Sequence, residues 1–186
     1  LTIADRLDLK VVACLFNRWH DPDLDNGGIY IDHFMPGWSW VNRDKGEYFK
    51  QYINEIVGEH ANDDRVLAWD TCNEPFSYDK SVEEMKQIEE VEYKWLEGIY
   101  KQCKDLKVKA PVGVSLHPGD RKPGLERVEP ISDILLIHPY YIGDQDDQEK
   151  KRLYIELLDD YVDVREKTGK PMLVTETCWG SLDHNW

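Results

Sequence analysis

The chain has 186 residues, enough to bury a hydrophobic core, and no second independent domain is expected. Acidic residues outnumber basic ones 37 to 23, for a formal net charge of −14, so a nucleic-acid backbone would be repelled rather than gripped. The longest apolar runs, VVACLF and ILLI, fall far short of the roughly 20 residues that cross a bilayer, and no membrane partner is expected.

The chain opens on Leu1, and LTIADRLDLK has neither the basic start nor the apolar middle of a signal peptide. Any targeting signal is expected outside this chain; a secreted or extracytoplasmic setting is compatible with it. Of four cysteines, Cys14, Cys72 and Cys178 sit in or beside apolar runs, which predicts buried free thiols rather than disulfides or a metal site.

In chain order, the stretch TIADRLDLK reads as a helix end and Lys10 to Phe16 as a first strand. A long irregular loop follows, HDPDLDNGGIYIDHFMPGWSW. Asp44 with Glu47 can open a helix carrying Phe49, Tyr52, Ile53, Ile56 and Val57 on one stripe. Val66 to Cys72 is the second strand. Ser81 with Glu84 repeats the capping pattern before a helix striped by Val82, Met85, Ile88, Val91, Trp95, Ile99 and Cys103. Pro111 to Leu116 and Ile134 to His138 are the third and fourth strands. The run DQDDQEKK reads as a solvated helix start, continued by Leu153, Leu157, Tyr161 and Val164 and stopped at Gly169. Met172 to Glu176 is the fifth strand.

All five strands are apolar enough to be covered on both faces, and strands alternating with helices imply a parallel sheet. Five βα units fit either an open doubly wound sheet or most of an eight-stranded barrel, which takes about 250 residues when complete. No repeat, linker or low-complexity tract divides residues 1–186.

Both architectures work at the carboxyl ends of their strands, where this sequence places Asn17, Trp19 and His20; Asn73 and Glu74; His117; His138, Tyr140 and Tyr141; and Glu176 and Trp179. The glycine-rich turns of phosphate binders and the G-x-S-x-G of serine hydrolases are absent, and no cofactor is expected. Two carboxylates on different strands are what glycosidic cleavage requires, one to protonate the leaving oxygen and one to attack or stabilise the sugar centre.

The stretch AWDTCNEPF, with its strand-terminal Asn-Glu-Pro, resembles the acid/base motif of the clan A glycoside hydrolases, closest to glycoside hydrolase family 5, the cellulase family. PMLVTETCWG is similar to that family's seventh strand and ILLIHPYY to its sixth. The resemblance implies a (β/α)8 TIM barrel, here an incomplete segment numbered strands three to seven, with strands one, two and eight outside the chain. It implies Glu74 as acid/base, Glu176 as nucleophile, Asn73 on the sugar 2-hydroxyl, His138 in the sugar site and Tyr140 against the nucleophile. It further implies a carbohydrate substrate and no metal. His20 resembles a histidine the family places near strand three. The family's early-strand arginine and its strand-eight tryptophan have no counterpart, and Trp179 does not simply replace the latter.

Carboxyl groups about 5 to 5.5 Å apart would give retention of configuration, which is the expected course. Trp19, Trp38 and Trp40 are either sugar-stacking platforms or loop packing. His117 reads as a buried or turn-forming imidazole, with substrate contact as the alternative. Two rival functions remain open: a metal-dependent sugar isomerase or hydrolase using His20, Asp21, Glu74, His117, His138 and Glu176, and a noncatalytic carbohydrate-binding protein. Unpaired edges are expected on so partial a barrel, and with them an inactive isolated chain. Sugar identity, exo or endo action and oligomeric state are not legible.

Overall fold

The β-branched and aliphatic runs form parallel strands at the expected places. The computed structural model describes residues 1–17, 46–76, 82–142 and 147–180. Its strands are β1 (Val11–Cys14), β2 (Val66–Asn73), β3 (Val112–Leu116), β4 (Leu135–Ile137), β5 (Tyr140–Ile142), β6 (Met172–Val174) and β7 (Cys178–Gly180). The helices are α1 (Thr2–Arg6), α2 (Gly46–Glu59), α3 (Val82–Asp105), α4 (Arg121–Val128) and α5 (Gln148–Thr168).

Strands β1, β2, β3, β4 and β6 form one sheet in that order, every pair parallel. The order never reverses, whereas a doubly wound sheet reverses at its switch point. A half-barrel results. One large core packs Trp69, Val112, Val114, Leu116, Leu135 and Ile137 against Ile53 and Val57 of α2, Leu96 and Ile99 of α3, Leu125 of α4 and Leu157 and Val164 of α5. The opposite face carries only a small cluster, Ala68, Ile134 and Leu136 with Val12 and Leu173. Helices therefore cover one face, and the other is the inner face of the half-barrel.

Close approach and tight turns fix two glycines. A Cβ on Gly113 would lie 2.5 Å from the Ile134 carbonyl oxygen, so only glycine lets β3 and β4 meet there. Gly169 ends α5 at φ +68 and donates its N–H to Arg165 O, while Asp147 caps the other end by accepting from Lys150 N.

Three expectations are corrected and one helix is added. Coverage on both faces holds for the middle of the sheet apart from the exposed Leu67 near the start of β2, but not for β1, where Val11, Val12 and Ala13 are half-buried, nor for β6, where Val174 is exposed. These strands border the sheet among the described residues. All four cysteines are free, but only Cys72 and Cys103 are buried and Cys14 is exposed, again because β1 is an edge. The buried stripe of α3 runs through Glu92, Leu96, Ile99 and Cys103, with Trp95 only partly buried and Val91 exposed. Helix α4 was not anticipated, because Pro123 and Gly124 mask its pattern; proline is tolerated in a first turn, where the N–H has no intrahelical partner. The predicted caps Asp44 and Ser81 and the loop from His20 to Trp40 lie outside the described residues.

Candidate active site

Strand β2 delivers two site residues through an irregularity. Asp70 pairs with Gly113 and Asn73 with Ser115, so three steps along β2 match two along β3. Before the bulge, Ala68 joins the interior cluster; after it, Cys72 joins the helix-side core. The bulge shifts the alternation by one residue and sets Asn73 beside Ser115. Asp70 holds the offset, its carboxylate accepting from Ser115 N at 3.1 Å and Ser115 Oγ at 2.6 Å. Burial raises the Asp70 carboxyl above its ordinary value against the opposing Ser115 bonds.

Glu74 leaves the strand at φ +48, its N–H donating to Ser115 O at 3.1 Å. The turned backbone brings its carboxylate to His138, with Oε1 2.7 Å from Nδ1. The other imidazole nitrogen, Nε2, lies 3.0 Å from Thr175 Oγ1. Held at both nitrogens and fully buried, this ring links the ends of three strands.

Strands β4 and β6 both break where the site forms. Pro139, which has no N–H, interrupts the ladder after His138, and pairing resumes as β5 with β7, Tyr140 opposite Cys178 and Tyr141 opposite Trp179. Thr177 Oγ1 bridges the gap by donating to Pro139 O at 2.7 Å. Within the break, Tyr140 donates its hydroxyl to Glu176 Oε2 at 2.5 Å. Burial, and after it the Glu176 carboxylate, drive the Tyr140 phenol far above its ordinary range, so it remains a donor.

Glu176 Oε2 lies 3.8 Å from His138 Nδ1, and one oxygen each of Glu74 and Glu176 lies within 4.8 Å of the other and of the imidazole. The two carboxylates converge but differ in setting: the Glu74 side chain is 7% exposed and that of Glu176 43%. One acid is enclosed against a ring and the other opens to solvent while accepting a phenol. The same three side chains are the group among the described residues that can offer ligand atoms to a metal ion.

Thus Glu74, His138, Tyr140 and Glu176 come together. Asn73 stands beside them, its Nδ2 donating to Asn17 Oδ1 at 3.0 Å across the β1–β2 border. Tyr141 is a core residue, edge-on to Tyr154. His117 is exposed and accepts Gly119 N–H, forming the turn after β3, as one of the two expectations had it. Trp179 lies on β7 with its side chain undescribed, and Trp19, His20, Asp21, Trp38 and Trp40 fall outside the described residues. The sequence reading passed over Asp70, although a charged residue inside the run VLAWDTC was its signal.

No family model matches the chain. A mannan endo-1,4-beta-mannosidase A from Podospora anserina is 30% identical over 77 residues, which span 39% of this chain and 19% of that protein. Among solved structures, an endo-1,4-beta-D-mannanase from Thermotoga petrophila superposes with a TM-score of 0.66 at 16% identity, over 97% of this chain and 57% of that one. A Bacteroides uniformis beta-glucuronidase 2 gives 0.58 at 17% identity, over 80% of this chain and 17% of that one. The chain thus spans little more than half of the mannanase and a smaller share of the others. In fold as well as in its strand-end motifs, the chain resembles the clan A glycoside hydrolases over part of their barrel.

Proposed function

We propose that residues 1–186 are a single segment, strands three to seven, of the (β/α)8 barrel of a retaining β-glycoside hydrolase, with Glu74 as acid/base and Glu176 as nucleophile. The observation that carries this reading is the convergence of the two carboxylates, within 4.8 Å of one another, at Nδ1 of His138. That spacing favours covalent attack, because a carboxyl pair that admits a water sits about 6.5 to 9.5 Å apart.

A Glu176 oxygen attacks the anomeric carbon as the glycosidic C–O bond breaks, and Glu74 passes its proton to the departing oxygen. Glu74 then takes a proton from water, whose oxygen attacks the same carbon and frees Glu176. Tyr140 engages Oε2 alone, which leaves Oε1 to attack. His138 fixes the Glu74 carboxylate, and Asn73 is the residue to bond the sugar 2-hydroxyl; Trp179, Trp19 and His20 belong to the substrate's surroundings in this reading. The mannanases among the similar proteins make β-mannan the first substrate to try.

The test is a 2-deoxy-2-fluoro glycosyl fluoride applied to the protein with its flanking sequence, read by mass spectrometry. Covalent labelling of Glu176 is expected, and Glu74→Ala should regain turnover with azide and release a glycosyl azide of retained configuration. A folded full-length protein that takes no label would be a binder, not this enzyme. The metal-dependent reading draws on the same three side chains, but both His138 nitrogens already face Glu74 and Thr175. Activity that survives a strong chelator separates the two.

A further inference from the structure

We propose that Glu92, on α3, is a positioning residue for Glu74, acting through the backbone of the turn Glu74-Pro75-Phe76; this rests on the acid/base reading of Glu74. Glu92 occupies the buried stripe of its helix with Leu96, Ile99 and Cys103, where an apolar side chain would ordinarily sit, and is 0% exposed. Burying a carboxylate costs several kcal/mol unless its oxygens are used. Here Oε2 accepts the N–H of Phe76 at 3.1 Å.

The turn needs such a hold. Glu74 and Phe76 both have left-handed backbone, φ +48 and +66, and neither is glycine, a conformation that costs on the order of 1 kcal/mol or more at each. Pro75 has no N–H to anchor. The turn's two backbone donors therefore go to different elements: Glu74 N–H to Ser115 O on β3, and Phe76 N–H to Glu92 on α3. Arg127 of α4, paired with Glu89 at 3.0 Å, lies 5.2 Å from the centre of the buried Phe76 ring. Three elements grip the turn, and Glu92 supplies the grip nearest its far end. With the Phe76 N–H released, the strained turn relaxes and the Glu74 carboxyl loses its aim at the leaving oxygen.

Paired aryl glycosides read this aim in the full-length protein. A phenyl glycoside needs a proton on its leaving oxygen, and a 2,4-dinitrophenyl glycoside does not. Glu92→Leu should lower kcat/KM on the first by about tenfold or more, part of the ~10²–10⁴ that a general acid supplies, and leave the second near the unmodified value. Glu92→Gln keeps an acceptor oxygen and should stay within about threefold on both. Equal losses on the two substrates, or none, overturn the proposal. If Glu92→Leu does not fold, Glu92→Asp, which withdraws the oxygen by one methylene, should give the same leaving-group dependence. Amide exchange at Phe76 needs no substrate: it should quicken by about tenfold or more in the Leu or Asp variant, and an unchanged rate refutes the contact. If the unmodified protein turns over neither glycoside while Phe76 exchange responds as stated, it is the glycosidase reading that fails.

Discussion

Replacing Asp120 by asparagine should make the protein more stable at pH 8 and leave it nearly unchanged at pH 4. Asp120 closes the 3-10 turn Pro118–Asp120 after β3, and its Oδ2 is buried with no hydrogen-bond partner among the described residues. Burial, opposed by Arg127 and reinforced by the like charges of Glu74 and Glu89, pushes its carboxyl up to about 7 from an ordinary value of 3.8. A folded-state value above the unfolded one means that the folded chain holds the proton more tightly. The stabilisation is complete below about pH 4, declines as the unfolded chain ionises, and is gone once pH has risen past about 7. At about 1.4 kcal/mol per pH unit the ceiling is ~4 kcal/mol, and solvent around a partly exposed side chain brings the expectation to about 2 kcal/mol. Asparagine keeps the shape and never ionises. Urea unfolding of both proteins at pH 4, 6 and 8 reads the effect, since other titrating groups largely cancel in the difference. A gap between the two that does not widen from pH 4 to pH 8 would falsify the assigned burial of an unpartnered carboxyl.

Two further outcomes follow from distances already given. Gly113→Ala places a methyl group 2.5 Å from the Ile134 carbonyl, so β3 and β4 must part; a loss of about 1–3 kcal/mol is expected in denaturant unfolding, and an unchanged midpoint would contradict the strand approach. Tyr140→Phe removes the donor to Glu176 Oε2, and a hydrogen bond to a charged group of about 1.5–3 kcal/mol predicts a ~10- to 100-fold fall in kcat with unfolding little altered. Equal rates for the two proteins would remove Tyr140 from the site.

Much of the architecture was legible because strands and helices advertise their period. The five parallel strands, and the helices ending at Glu59, Asp105 and Thr168, follow from apolar spacing, and Glu74, His138, Tyr140 and Glu176 were found by asking what ends each strand. The rest depended on partners. A bulge is a relation between β2 and β3, so nothing in VLAWDTCN alone announces that Cys72 turns to the helices. The resumption of pairing in β5 and β7 depends on Pro139 meeting the break beside Glu176, far away along the chain. Glu92 was passed over because Val91 and Trp95 offered a more apolar stripe one residue away, and burial chose the neighbouring one.

The two interrupted strands have a mechanical meaning. His138 and Glu176 each hang between a ladder rung before them and another after them, as a span between two piers. A disturbance that enters at β5 or β7 meets the outer pier first, while the inner one, β4 with β6, keeps Glu74, His138 and Glu176 aligned. A sheet built this way can vary beyond its outer rungs without resetting the geometry of the two carboxylates.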